Sequence, residues 1–182
     1  MLTLPKVLFI DFERCIGCRS CQAACIECGG HESTYRNYVI PVAPGLSTQT
    51  VPMTCFHCKD PACVRVCPAG AIEITPEGTV LSAAKEKCMG CRNCTLACPF
   101  GIPKFDFEKK IMYKCDLCYD RTKDGLPPMC ASVCPSEALQ WIEQDEAMEK
   151  KRRRKVTQIL GGAPSETGVH TITGWLNSVA GR

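Results

Sequence analysis

Several features that define other protein classes are missing from this 182-residue sequence. No apolar run approaches the roughly eighteen residues that would predict a membrane-spanning helix. Residues 1–7 lack the basic stretch, apolar core and cleavage site of a signal peptide. There is no glycine-rich phosphate loop, no nucleophile beside a base and no carboxylate pair in a plausible pocket. We therefore expect no direct membrane insertion and no catalytic site in this chain.

Cysteine, by contrast, is abundant, with 17 among the 182 residues. In a small secreted protein this density would indicate disulfides. Without a signal peptide we expect a reducing, cytoplasmic compartment, in which dense cysteine indicates metal binding. Export of the folded chain together with a signal-bearing partner is the alternative.

One stretch, which we call group three, shows the repeated cysteine spacing most clearly. Its cysteines have the spacing C-x2-C-x2-C-x3-C-P: Cys88, Cys91, Cys94 and Cys98, followed by Pro99. This is the spacing of bacterial ferredoxins that hold [4Fe–4S] clusters. The first three thiolates can wrap three corners of one cube, while the fourth points away and binds a different cube. Proline fixes φ where the chain leaves the loop.

Three further groups repeat this arrangement. Group one has the same spacing but carries Ile26 in place of proline, group two has x2-x4-x3 and group four has x2-x11-x3. Their cysteines are Cys15, Cys18, Cys21 and Cys25 in group one, Cys55, Cys58, Cys63 and Cys67 in group two, and Cys115, Cys118, Cys130 and Cys134 in group four. Sixteen ligands supply four clusters at four ligands each, and only Cys28 is left over as a spare thiol.

Two alternatives to an iron–sulfur protein are a zinc protein and a protein that binds nucleic acid. Zinc sites commonly use two C-x2-C pairs, which suits a repeated three-plus-one spacing poorly. The formal charge of +3 counts cysteine as neutral. Four oxidised clusters of charge −2 would bring the loaded protein to about −5, so a nucleic-acid partner is not expected.

The segments between the cysteine groups predict short strands and hairpins. Strands are expected at residues 6–11, 38–42 and 138–142, and hairpins at 71–75 with 79–81 and at 105–107 with 111–113. Residues 29–50 are otherwise interpreted as a loop, and the insert 119–129 within group four as a surface loop.

The composition changes after residue 142. A helix is predicted over Gln144–Leu160, with two i,i+4 ion pairs, Glu146–Lys150 and Glu149–Arg153. Six consecutive positive charges at 150–155 are interpreted as a solvated helix face, or as a dock for an acidic partner. The last apolar residues are expected to anchor in a partner: Trp175, Leu176 and Val179.

At this point the motifs resemble a known family. They are Cys55-Phe-His-Cys58-Lys-Asp-Pro-Ala-Cys63, Cys67-Pro-Ala-Gly-Ala-Ile72, Cys98-Pro-Phe-Gly-Ile-Pro103 and Lys114-Cys-Asp-Leu-Cys118. The chain resembles the four-cluster electron-transfer subunits of the dimethyl-sulfoxide-reductase and formate-dehydrogenase type. Similar subunits serve carbon monoxide dehydrogenases, hydrogenases and tungsten aldehyde oxidoreductases.

The resemblance implies an α+β fold of two intertwined dicluster ferredoxin-like halves of βαββαβ type, related by a pseudo-two-fold axis. The outer half would comprise residues 1–50 with 108–143, and the inner half residues 51–107. Residues 144–182 would form a basic helix and an irregular docking tail.

The resemblance also implies four ligand quartets, in which the fourth cysteines are exchanged between groups. Quartet 1 is Cys15, Cys18, Cys21 and Cys134; quartet 2 is Cys115, Cys118, Cys130 and Cys25; quartet 3 is Cys55, Cys58, Cys63 and Cys98; quartet 4 is Cys88, Cys91, Cys94 and Cys67. Nitrate-reductase relatives carry Trp where this chain has Cys91 and hold a three-iron cluster there, so four complete [4Fe–4S] clusters are expected here. The clusters would form one line in the order of quartets 1, 2, 3 and 4.

The expected function is that of an electron-transfer subunit. Its partner would be a large catalytic subunit with a molybdenum or tungsten pterin, for example one that oxidises an aldehyde or formate. A second redox subunit or further copies of this chain are possible additional partners. The alternative is a free-standing polyferredoxin that shuttles electrons between enzymes, and co-purification of a large subunit would separate the two.

Overall fold

The computed structural model describes residues 6–28 and 34–160, and the chain divides into two compact units. One unit is Leu8–Trp141 and contains all four cysteine groups. The other combines Met1–Val7 with Ile142–Arg182. Within the second unit, the structure describes residues 6–7 and 142–160.

Within the described residues the elements are short, and helices alternate with small sheets, in agreement with the predicted α+β class. The strands are β1 (Lys6–Ile10), β2 (Tyr38–Pro41), β3 (Thr50–Met53), β4 (Ile72–Ile74), β5 (Val80–Ala83), β6 (Lys104–Asp106), β7 (Ile111–Tyr113) and β8 (Leu139–Glu143). The α-helices are α1 (Ser20–Cys28), α2 (Ala62–Arg65), α3 (Asn93–Ala97), α4 (Tyr119–Thr122), α5 (Met129–Ser132) and α6 (Gln144–Leu160).

The residue after each fourth cysteine explains the lengths of the helices that carry the ligands. In groups two, three and four this residue is proline, which disfavours helical geometry at the cysteine before it. Accordingly α2, α3 and α5 have only four or five residues and end before that cysteine. In group one Ile26 imposes no such limit, and α1 continues for nine residues.

The predicted hairpins are present as β4–β5 and β6–β7, both antiparallel. The predicted first and last strands, β1 and β8, form a two-stranded sheet with one another. A third hairpin pairs β2 with β3, with Val39 opposite Pro52. The expected strand at 38–42 is therefore found, but its partner β3 was not predicted, because Pro52 within the segment argues against a strand despite the β-branched Thr50 and Val51.

Helix pairs and small apolar clusters hold the cysteine-bearing unit together. Helix α1 packs against α5, and α2 packs against α3. The larger buried cluster joins the two predicted hairpins through Ala71, Ile72, Val80, Ala83, Cys94 and Met112. A smaller one contains Cys21, Cys130 and Leu139. Cysteines are thus part of both cores.

The insert of group four is more ordered than a plain loop. Residues 119–122 form α4, and Met129 already begins α5. Between them Arg121 Nε donates to the Pro127 carbonyl at 3.2 Å, and the Leu126 amide donates to the Arg121 carbonyl at 3.1 Å.

Helix α6 has the predicted bounds, Gln144–Leu160. Both predicted ion pairs are present, Glu146–Lys150 at 2.9 Å and Glu149–Arg153 at 2.8 Å. Residues Trp175, Leu176 and Val179 lie outside the described residues. None of the described helices has the length and apolar character that a membrane span requires.

Candidate metal centres

Three cavities in the described part of the chain are each lined by one predicted quartet. The first cavity is lined by Cys55, Cys58, Cys63 and Cys98, the members of quartet 3. The second is lined by Cys67, Cys88, Cys91 and Cys94, which form quartet 4. The third is lined by Cys25, Cys115, Cys118 and Cys130, which form quartet 2. In each cavity three cysteines come from one group and the fourth from another.

The members of quartet 1 also lie near one another. Burial, and after it the neighbouring Cys134, Cys18 and Cys15 in that order, raises the pKa of the Cys21 thiol to about 11. Cys134 also packs in the apolar cluster that contains Cys21. The Cys15 thiol lies 3.3 Å from the Thr50 hydroxyl.

Each group begins with the same backbone turn. The second residue after the first cysteine has a positive φ in every group: Gly17 (72°), His57 (45°), Gly90 (74°) and Leu117 (61°). Residues of this conformation turn successive backbone N–H groups to one side and create a concavity for an anion, as in many iron–sulfur sites. The sequence indicates this turn only at the two glycines, since His and Leu seldom adopt a positive φ.

A second repeated turn follows the fourth cysteine in groups two, three and four. The amide three residues later donates to the cysteine carbonyl at 3.2 Å in all three: Gly70 to Cys67, Gly101 to Cys98 and Glu137 to Cys134. These three donors have positive φ values of 56°, 63° and 52°. Glycine is suited to that conformation, whereas Glu137 adopts it at a cost.

The thiols are buried in surroundings that disfavour their charged form. Burial raises the pKa of Cys94 and of Cys118 to about 11 and raises the pKa of Cys130 well above its usual value. A bound metal ion favours the thiolate and so offsets the effect of burial on these thiols. Backbone amides donate hydrogen bonds to three of the sulfurs: Arg36 to Cys25 at 3.3 Å, Ala71 to Cys67 at 3.3 Å and Leu117 to Cys115 at 3.4 Å.

This donor set fits an iron–sulfur cluster. The side chains that surround each cavity supply thiols as the metal-binding groups, and backbone amides are directed at several of their sulfurs. No three His, Cys, Asp or Glu side chains in the described ranges gather tightly enough to hold a single metal ion. The quartets instead surround a volume, and a cubane, which takes one thiolate at each iron, requires such spacing.

The polar surroundings differ from cavity to cavity. The quartet 3 cavity contains the ammonium of Lys114, and the quartet 4 cavity is mostly apolar apart from Arg92. The quartet 2 cavity is lined by Arg36, Asn37, Thr54 and Asp116. Arg36 and Asp116 form an ion pair at 2.5 Å. The sequence singled out none of these polar residues, although Lys114 and Asp116 lie within one of the quoted motifs.

His57 lies inside the group two loop, between the ligands Cys55 and Cys58. Its Nδ1 accepts a hydrogen bond from the Val80 amide at 3.1 Å, so the proton is assigned to Nε2. Burial, and secondarily the charge of Lys114, lowers the pKa of His57 to about 3, which leaves the ring neutral. Nε2 is buried without a partner among the described residues. The side chain of Cys28 lies outside the described residues.

The cysteine-lined cavities fit the class of iron–sulfur proteins, in which thiolates hold clusters that carry electrons. Comparison with known proteins supports this assignment to the iron–sulfur proteins. The family of 4Fe-4S dicluster domains matches residues 46–144. The B subunit of the anaerobic dimethyl sulfoxide reductase of Haemophilus influenzae is 38% identical over 156 residues, which cover 78% of this chain and 76% of that protein.

Two further relatives come from Escherichia coli K12. The probable anaerobic dimethyl sulfoxide reductase subunit YnfG is 36% identical over 163 residues, with 82% of this chain and 78% of that protein covered. The iron-sulfur subunit of the nitrate-inducible formate dehydrogenase is 31% identical over 186 residues, with 91% and 63% covered. The chain belongs to this family of iron–sulfur electron-transfer subunits.

Proposed function

We propose that the chain carries four [4Fe–4S] clusters, one on each quartet, and conducts electrons between a catalytic oxidoreductase subunit and a second redox partner. The observation that supports this most strongly is that quartets 2, 3 and 4 each line a separate cavity. Quartet 1 is supported by the mutual proximity of its thiols. The count of four follows from the sixteen cysteines of the groups.

The protein contributes ligands, hydrogen bonds and burial. A bound cluster supplies one-electron redox chemistry, which no side chain of this chain provides alone. The thiolates hold the cluster, and the left-handed loop turns direct amide groups toward its negative charge. Burial of the cavity walls limits access of water and, with the hydrogen bonds to sulfur, sets the potential.

The exposure of the ligands supports a linear path through quartets 1, 2, 3 and 4. Cys18 of quartet 1 and Cys91 of quartet 4 are exposed. The corresponding second cysteines of the middle quartets, Cys118 and Cys58, are partly buried. Clusters at the two ends of a line need solvent-facing edges to exchange electrons with partners, whereas the middle ones do not. We propose that quartet 1 faces the catalytic subunit.

The packing supports the proposed pair of ferredoxin-like halves. Helices α1 and α5 belong to groups one and four, and α2 and α3 belong to groups two and three. Each helix pair therefore joins two groups of the same half, with 1–50 and 108–143 as the outer half and 51–107 as the inner half. Helix α6, which begins the segment 144–182, is proposed as a docking element for an acidic partner surface.

The partner is proposed to be a large subunit with a molybdenum or tungsten pterin. The relatives whose names include dimethyl sulfoxide reductase and formate dehydrogenase support a catalytic oxidoreductase subunit as the partner, and the pterin metal is proposed from the resemblance of the cysteine motifs. This chain would then have no catalytic site of its own, and we propose a cytoplasmic location for the complex. Cell fractionation followed by detection of the chain tests the location.

Metal analysis tests the cluster count. Chain purified without oxygen and reconstituted should hold about sixteen iron and sixteen sulfide, four of each per cluster. A value near eight iron, or zinc as the dominant metal, would contradict the proposal.

Affinity purification of the chain from its native cells tests the partner. A large polypeptide that co-elutes with stoichiometric molybdenum or tungsten is the expected result. A chain that elutes alone with full iron content would instead indicate a free-standing polyferredoxin.

A further inference from the structure

Two residues that directly precede cluster ligands lie in each other's cavities. Lys114 precedes Cys115 of quartet 2, yet its side chain lines the quartet 3 cavity. Thr54 precedes Cys55 of quartet 3, yet it lines the quartet 2 cavity. The two segments therefore cross. In each of them, a ligand of one quartet is adjacent in sequence to a polar residue that lines the cavity of the other quartet.

Lys114 brings a buried positive charge to the quartet 3 cavity. Its side chain is 1% exposed. The ammonium donates to the Val80 carbonyl and, at 2.9 Å, to the Cys115 carbonyl. These contacts use two of its three N–H donors. No carboxylate within the described ranges forms an ion pair with it. A buried cation is costly unless an anion compensates it, and the thiols of quartet 3 are the anionic ligands at hand.

Thr54 brings only a neutral group to the quartet 2 cavity. It is 2% exposed, and its hydroxyl, which has no well-formed hydrogen bond in the described part of the chain, is close enough to the Cys115 thiol to favour the thiolate. A buried hydroxyl without a well-formed hydrogen bond is unfavourable, so the Cys115 thiolate or a group held by it would accept the hydrogen bond that Thr54 donates. The cation of the same cavity, Arg36, is already paired with Asp116. The net fixed charge there is therefore near zero.

We propose that Lys114 and Thr54 are a reciprocal pair of positioning residues that give the neighbouring clusters of quartets 2 and 3 different reduction potentials. This inference rests on the proposed function. Reduction of a cluster adds one negative charge, and an unpaired ammonium stabilises that charge more than a hydroxyl does. The cluster on quartet 3 is accordingly the easier of the two to reduce. One electron leaves the cluster on quartet 2 as one arrives on quartet 3, and no proton moves.

Redox titrations of the fully loaded chain, followed by EPR, test the proposal. Lys114→Met removes the charge at similar volume, Lys114→Arg keeps it, and Thr54→Val removes the hydroxyl at nearly constant shape. Cys63→Ser and Cys118→Ser identify the signals that belong to quartets 3 and 2. Lys114→Met should reduce the ratio of reduced to oxidised quartet 3 cluster at least tenfold at fixed solution potential, about 59 mV for a one-electron couple. Thr54→Val should cause a smaller fall, and only at quartet 2, while Lys114→Arg stays near the wild type.

Two results would overturn the proposal. One is an unchanged quartet 3 potential in a Lys114→Met chain that retains all its iron. The other is loss of iron in both Lys114→Met and Lys114→Gln with full retention in Lys114→Arg, which would make the charge a requirement of assembly. A wild-type chain with far fewer than the expected iron atoms would instead contradict the proposed function.

Discussion

Groups two and three share the proline and the glycine that follow the fourth cysteine, whereas groups one and four differ at those positions. In the former pair both fourth cysteines are followed by proline, and a glycine occupies the positive-φ position, Gly70 or Gly101. In the latter pair Ile26 replaces the proline of group one, and Glu137 replaces the glycine of group four.

The difference between the two pairs of groups shows that the backbone turn after the fourth cysteine is required, whereas the side chain at its positive-φ position can vary. The turn after Cys134 has the same 3.2 Å hydrogen bond as the turns after Cys67 and Cys98, although Glu137 replaces glycine. A left-handed conformation costs a non-glycine residue about 1–2 kcal/mol. An exposed ion pair between Glu137 and Arg14, at 3.1 Å, offsets part of this conformational cost. The backbone path near the ligand is therefore kept even where the side chain is unfavourable.

Removal of iron should have the largest effect. It should unfold the chain around all four cysteine groups, so that groups two and three no longer differ from groups one and four. Both apolar clusters include cysteines, so neither half has a core that is independent of its ligands. Stabilities of about 5–15 kcal/mol are typical, and metal–thiolate ligation can supply that much. A chelated, iron-free sample should lose dispersed NMR signals throughout. Dispersed signals retained by residues 51–107 alone would instead make the inner half an independent fold.

Replacement of single cysteines should have the next largest effect. Cys91→Ser should lose one iron of about four at a single site and give a three-iron EPR signal, because Cys91 belongs to a complete quartet. Cys28→Ser is the matched control and should leave all clusters intact. A cluster lost in the control would reverse the ligand assignment of group one.

Glycine substitutions probe how tightly group three is built. Gly90→Ala combines a φ of 74° with a new Cβ 3.2 Å from the Lys110 carbonyl oxygen and 3.4 Å from the Phe105 ring. Gly101→Ala has a similar φ of 63° but open space around its Cβ. We expect Gly101→Ala to cost about 1 kcal/mol and Gly90→Ala clearly more. The rate of iron release to a chelator measures both, and equal rates would show that the contacts of Gly90 can relax.

The smallest predicted effect is a gain in stability. Glu137→Gly should relieve the strained turn of group four by up to about 1 kcal/mol, after the entropy of glycine in the unfolded chain and the lost pair with Arg14 are subtracted. Glu137→Gln removes the charge but retains the strain, and should be neutral or slightly destabilising. Slower iron release from the glycine variant alone is the expected result. Faster release would indicate that the Arg14 pair outweighs the strain.

Local sequence determined the parts of this protein that depend on neighbouring residues. The hairpins β4–β5 and β6–β7 and helix α6 were predicted because apolar alternation, turn residues and i,i+4 charges act within a few positions. The four groups were evident for the same reason, since ligand spacing is a local property. Strand β3 was missed, because its pairing with β2 decides its conformation more than its own residues do.

Only the tertiary structure decided which distant residues meet. The gathering of Cys98 with group two, of Cys67 with group three and of Cys25 with group four around shared cavities depends on the packing of helices far apart in sequence. The crossing of Lys114 and Thr54 has no local signal, because their types are unremarkable and their burial results from the segments packed over them. A buried charge or hydroxyl acquires its role from the cavity around it, and that cavity exists only once the chain has folded.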